Sequence, residues 1–181
     1  MTAPHALDPA HTALVLVDLM DRIVALPLAP RAGSEVLAVA EELADMFRSA
    51  GAPVVLVRVE RPGVAEQPPG SGLVAGLLKD GDLEIVKRTI GGFHGTDLDD
   101  RLRGRGVTTL VFGGIATNLG VESTARSAGD LGYDLLFVED AMAALTGPEH
   151  EASVRLDFPR LGTVVTAKEL AFAGGGTRSA G

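Results

Sequence analysis

Thr12–Asp18 reads TALVLVD, and the fold turns on this stretch. It is apolar at every position from Ala13 to Val17, rich in β-branched residues, and short. A run apolar at successive positions, not alternate ones, belongs to a strand covered on both faces. Similar short apolar runs recur at Pro53–Val59 (PVVLVRV), Leu83–Val86 (LEIV), Val107–Gly113 (VTTLVFG), Asp134–Val138 and Thr163–Thr166. Between them lie segments of helical period. Ser34–Ala50 sets Val36, Leu37, Ala40, Leu43, Ala44 and Phe47 on one stripe, with Ser34 as the N-cap and Gly51 as the stop. Further helices are expected from Thr96 through Arg105, from Leu119 to Leu131 and from Pro148 to Phe158. Arg61–Gly81 is rich in Pro and Gly and reads as a long loop of the kind that is functional or mobile. Such alternation predicts a doubly wound, six-stranded parallel sheet with helices on both faces, a three-layer α/β/α sandwich of Rossmann-like form. One domain is expected over residues 1–172, with a disordered tail at 173–181 (AGGGTRSAG).

Composition narrows the function. The chain of 181 residues carries 24 acidic and 16 basic residues, a formal charge of -8, and has no Lys/Arg cluster, so a nucleic-acid partner is not expected. It has no cysteine, which removes disulfides, zinc ribbons, iron–sulfur ligation and any thiol nucleophile. No segment approaches the roughly 20 apolar residues of a membrane span. The run Ala13–Val17 lacks the flanks of an export signal. The expected setting is therefore cytoplasmic, with a small molecule as the partner.

In doubly wound sheets ligands bind beyond the carboxyl ends of the strands, near the point where strand order reverses. Polar residues just after strands are therefore the candidates. Asp18 is one; a carboxylate there costs several kcal/mol if buried without a partner. It is either a capped or ion-paired group, or an acid/base group whose pKa its surroundings set. Lys87 follows the third strand. Strand-end lysines are mostly solvated, but Lys87 would act with Asp18 if both reached one cleft, whereas Arg88 reads as surface. The fourth strand runs into GIATNLGVEST, Gly114–Thr124. Thr117 or Asn118 can cap the following helix, leaving Gly120 in its first turn at a cost of up to about 1 kcal/mol against alanine. Either close packing requires that glycine, or a ligand approaches the first-turn N–H groups, which favour negative charge. Arg58 and Arg61 bracket the end of the second strand and could grip a carboxylate, although solvated arginines are commoner. His94, in GGFHGTDL, lines the cleft or is a surface or packed histidine. There is no G-x-S-x-G, H-E-x-x-H or G-x-x-x-x-G-K-[ST], and the four histidines lack metal-ligand spacing.

Taken in order, TALVLVDLMDRIV, EIVKRTIGGFHGTDL and VFGGIATNLGVESTARSAGDLGYDLLFVEDAMA resemble the isochorismatase-like hydrolase superfamily over nearly the whole chain. Most members of that superfamily use an Asp–Lys–Cys triad for amide hydrolysis. Asp18 matches the aspartate and Lys87 the lysine, but Gly120 stands at the cysteine position, so the thiolate on which covalent catalysis depends is missing. The resemblance is nearest to stand-alone members with T-N-x-G-V-E-S-T-A-R. In isochorismatases proper, which hydrolyse a vinyl ether, a glycine also occupies this position and no nucleophilic side chain is needed. The resemblance thus implies a hydrolase of a small anionic molecule, with Asp18, Lys87 and Gly120 at the reacting centre. Arg58, Arg61, His94, Ala116, Thr117 and Asn118 would bind the substrate. The alternative is a catalytically silent relative that keeps the pocket for binding. The nicotinamidases' metal cluster has no counterpart, so no metal and no cofactor are expected. The resemblance further implies a homo-oligomer, dimer or higher, and a non-proline cis peptide at Ala116–Thr117.

Overall fold

The computed structural model describes residues 5–173. Apart from Ala173, the tail expected at 173–181 lies outside the described residues. A short strand β1 (His5–Leu7) precedes β2 (Thr12–Val17), a single helical turn α1 (Asp21–Val24) and the long helix α2 (Gly33–Ser49). Then come β3 (Val54–Val59), the Pro/Gly-rich loop, β4 (Leu83–Lys87) and α3 (Leu98–Arg103). β5 (Thr109–Ile115) leads through a π-helical turn, Thr117–Val121, into α4 (Glu122–Asp130). β6 (Asp134–Ala143), α5 (Gly147–Ala152), a second π turn at Ser153–Asp157, α6 (Phe158–Leu161) and β7 (Thr163–Val165) follow. The last element is β8 (Leu170–Phe172), which pairs with β1 outside the main sheet.

The main sheet has six strands in the order β4-β3-β2-β5-β6-β7, every pair parallel. From β2 the chain works outward through β3 and β4, then returns to the other side of β2 for β5. The reversal beside β2 opens the crevice that such sheets use for ligands. Because helices cover both faces, the six residues of β2 are all buried. On one face α3, α4 and α6 bury Leu98, Leu102, Ala125 and Phe158 against Val15, Val57 and Phe137. On the other, α2 sets Val36, Ala40, Leu43 and Phe47 against Leu14, Leu16 and Leu56. Each large side chain so buried stabilises the fold by about 1.5–3 kcal/mol before entropy is counted.

The expected strands are all present, with local departures. β6 continues through Ala143, well past Val138, because Glu139 and Asp140 interrupt an apolar run that resumes at Ala141. The N-cap of α2 is Ala32, not Ser34: the Glu35 carboxylate reaches back to accept the Ala32 N–H at 2.7 Å. The helix expected over Pro148–Phe158 is interrupted by the π turn and continues into α6 to Leu161, with Pro159, which has no N–H to donate, in its first turn. The loop between β3 and β4 is anchored, not loose. Its Gly70 and Gly72 carbonyls accept from the N–H groups of Arg22 and Asp21, and Leu77 enters the core.

Candidate active site

Asp18 closes β2 in a left-handed conformation, with φ of 55°. A side chain in that region costs about 1–2 kcal/mol, so its surroundings must hold it there. The Asp18 N–H donates to the Val57 carbonyl at 2.7 Å, and its own carbonyl accepts from Met20 N–H at 2.8 Å. β5 presses close beside it. A Cβ at Gly114 would overlap the Val17 carbonyl, and φ of 125° there suits glycine alone.

Lys87 reaches the same point from two strands away, across the end of β3. Its Nζ donates to Asp18 Oδ2 at 2.8 Å and to the Ile90 carbonyl at 2.6 Å, and the residue is only 1% exposed. Burial holds the Asp18 carboxyl above the usual carboxylate range, outweighing the Lys87 ammonium and the more distant Arg22, which favour ionisation. Asp18 Oδ1 is buried and has no hydrogen-bond partner. The pair therefore has one satisfied oxygen, one free oxygen, and a carboxyl that gives up its proton less readily than an ordinary one.

Gly120 completes the centre. A Cβ built on it would lie 2.9 Å from Asp18 Oδ2 and 3.0 Å from Lys87 Nζ, so the two charged atoms fill the space a side chain would need. The π turn that carries Gly120 is held from both sides. Thr124 Oγ1 donates to the Gly120 carbonyl at 2.6 Å and accepts the Gly92 N–H at 2.9 Å, tying the β4–α3 loop to the turn. Thr117 Oγ1 is hydrogen-bonded to His150 Nδ1 at 2.8 Å. Burial, with Arg31 nearby, pushes His150 down to about 4, so its ring is neutral at neutral pH. The non-proline cis peptide is at Ile115–Ala116, one bond earlier than expected.

A cavity of about 390 Å³ opens above these groups. Of the residues singled out in the sequence, Asp18, Lys87, Gly120, Ala116 and Arg61 form part of its wall. Arg58, Thr117, Asn118 and His94 do not. Arg58 is paired in register with Val86 and so shares a sheet face with Glu84, opposite to Lys87. There its guanidinium is taken up by Glu84 Oε1 at 2.6 Å and Glu60 Oε1 at 2.8 Å. Thr117 points inward to His150 and is fully buried, while Asn118 is half-buried with its Oδ1 lacking a partner. In the loop after β4, Gly91 and Gly92 press on Ser123 and Thr124, and Phe93 turns to the core, leaving His94 exposed. Apart from Glu60, Arg88 and Thr89 the rest of the wall is apolar, and sequence reading missed it. Leu26 and Leu145 look like core residues in the sequence, and nothing in their neighbourhood marks them as cavity residues. Among the described residues no group of three or more His, Asp or Glu is placed to hold a metal ion, and no helix is long and apolar enough to cross a membrane.

The arrangement is a buried acid, a buried cation and a bare turn at one strand-end crevice, and the isochorismatase domain profile matches residues 12–169. The chain belongs to the isochorismatase family. It is 39% identical over 181 residues to the isochorismatase family protein YecD of Escherichia coli O157:H7, covering 91% of this chain and 96% of the relative. An isochorismatase family protein from Burkholderia thailandensis superposes with a TM-score of 0.83 at 36% identity, covering 93% of this chain and 97% of that one. The N-carbamoylsarcosine amidase of Thermoplasma acidophilum superposes at 0.76 with 28% identity, over 88% and 98% of the two chains. The protein is thus an isochorismatase-family hydrolase with the family's α/β fold.

Proposed function

We propose that this hydrolase cleaves a small anionic enol ether by acid catalysis, with Asp18 as the proton donor and no covalent enzyme intermediate. The reading is carried by one observation: at Gly120 there is no nucleophilic side chain, and the raised carboxyl of Asp18 sits against that bare turn. An amide resists attack by water unless a nucleophile is supplied or the water is strongly activated. An enol ether needs only a proton and water.

In the first step the Asp18 O–H bond breaks and the proton joins the terminal vinyl carbon, whose π electrons form the new C–H bond. The ether carbon becomes an oxocarbenium ion. Water adds to that carbon and gives a proton back to the Asp18 carboxylate, leaving a hemiketal. This collapses to a carbonyl compound and an alcohol, so the sum is substrate plus water. Lys87 stabilises the Asp18 carboxylate after it has given up its proton, and Ile90 and Asp18 fix its ammonium in place. Thr124 acts as a positioning residue for the Gly120 turn.

The test is turnover of a panel of enol ethers of small carboxylic acids, with a matching panel of amides, by the protein and by Asp18→Asn. Enol-ether hydrolysis that falls about 10²–10⁴-fold in Asp18→Asn, with the amides untouched, is the expected result. Turnover indifferent to Asp18→Asn overturns the mechanism. Thermal stabilisation by these compounds without any turnover would identify a binding relative instead.

A further inference from the structure

Of the eight large apolar side chains exposed among the described residues, four border this one cavity: Leu26, Ile90, Leu119 and Leu145, each 38–63% exposed. They come from four separate parts of the chain, and Ile23 and Pro62 extend the same wall. Scattered exposed leucines need no explanation, but convergence on one concave site does. The charges at the rim are largely spoken for. Arg88 is paired with Glu60 at 3.1 Å, and Glu60 is held also by Arg58. Arg61 lines the mouth and is exposed, and its guanidinium has no carboxylate partner among the described residues. At the floor, the Lys87 ammonium is already engaged by Asp18 Oδ2 and the Ile90 carbonyl, so the free cation of the site is at the mouth and not at the reacting end.

We infer that the site takes an amphipathic monoanion, with an apolar body lodged among Leu26, Ile90, Leu119 and Leu145 and a single carboxylate held at the mouth by Arg61. This rests on reading Asp18 and Lys87 as the reacting pair, and it adds the substrate class: the scissile end is uncharged, the middle is apolar, and the charge is distal. The cavity, about 390 Å³, is toward the small end of the range for small-molecule sites, so the body is compact. Transfer of that body out of water supplies most of the affinity, while a guanidinium–carboxylate pair sets its orientation.

Calorimetric titration of the full chain with four probes tests the assignment: benzoate, acetate (the charge without the body), benzyl alcohol (the body without the charge) and phthalate (two charges). Benzoate is expected to bind about tenfold or more tightly than each of the others. Arg61→Gln should weaken benzoate about tenfold and leave benzyl alcohol unchanged, and Ile90→Ser should weaken both but not acetate. Failure of benzoate to outbind acetate, or indifference of benzoate to Arg61→Gln, overturns the assignment. So does an Ile90→Ser variant that changes sedimentation but not benzoate affinity, because the rim would then belong to a second copy of the chain. The two readings fail separately. Benzoate binding without any Asp18-dependent turnover sinks the catalytic reading alone, and Asp18-dependent turnover that ignores Arg61 sinks the substrate class alone.

Discussion

The two ends of the sheet each bury an ion pair, and they bury it differently. At the amino ends of the strands, beside a hollow of about 530 Å³, Arg48 meets Asp82 through two bonds, Nε to Oδ1 at 3.1 Å and Nη2 to Oδ2 at 2.6 Å. Every arm of that pair is engaged: Arg48 also donates to the Leu77 carbonyl and to Asp45, and Asp82 accepts the Lys79 N–H. At the carboxyl ends, Asp18 is held in a left-handed conformation with one oxygen unpartnered. Saturated geometry is what a structural pair needs. A strained acid with a free lone pair, facing an apolar cavity, has capacity left for a ligand. The larger hollow is therefore the less chemical one.

Replacing one acid in each pair should break the comparison most sharply. Asp18→Asn is expected to lower enol-ether turnover by about 10²–10⁴-fold. Asp82→Ala should do the opposite: it leaves Arg48 largely buried without its main partner and costs about 3 kcal/mol, read as a lower urea midpoint, with turnover at 25 °C unchanged. If Asp82→Ala abolishes turnover below its unfolding transition, the two ends are not separable.

Removing Lys87 sharpens the difference through pH. If protonated Asp18 is the active form, turnover falls as pH rises through its pKa. Without the ammonium the carboxyl ionises less readily, so in Lys87→Met that falling limb should move to higher pH by about one unit or more. Stability follows the same sign. A folded pKa raised above 3.8 means the native state holds the proton more tightly than the unfolded chain, so stability declines as pH climbs through that window. The decline should extend to higher pH in Lys87→Met, as urea midpoints at a series of pH values would show. A limb that stays in place argues against coupling of the two groups. The smallest effect is expected at Arg58→Ala. Its guanidinium is already spent on Glu84 and Glu60, so KM should stay within about twofold and stability within about 1 kcal/mol.

The sheet was legible because its central strand is apolar at every position from Ala13 to Val17, which only a two-sided cover permits, and shorter apolar runs recur along the chain. Asp18, Lys87 and Gly120 were legible as strand-end residues, and their contact follows from the strand order. What stayed hidden depends on direction. Arg58 and Arg61 are alike in sequence, yet strand alternation sends Arg58 to Glu84 while Arg61, past the strand end, stands at the mouth. For His94 the sequence left a cleft and a surface position open, and the packing of Gly91 and Gly92 on α4 turns it outward. The apolar wall was unreadable for a plainer reason: a leucine that lines a cavity and a leucine that fills a core have the same letter. The pair β1 and β8 was missed because three residues carry no period.

Thr124 spends its one proton on the Gly120 carbonyl and accepts the Gly92 amide on the same oxygen. The loop and the turn therefore cannot loosen independently, and this region should melt as a single cooperative piece. Amide exchange at Gly92 should then keep pace with exchange in α4, and inactivation on warming should coincide with the loss of that protection.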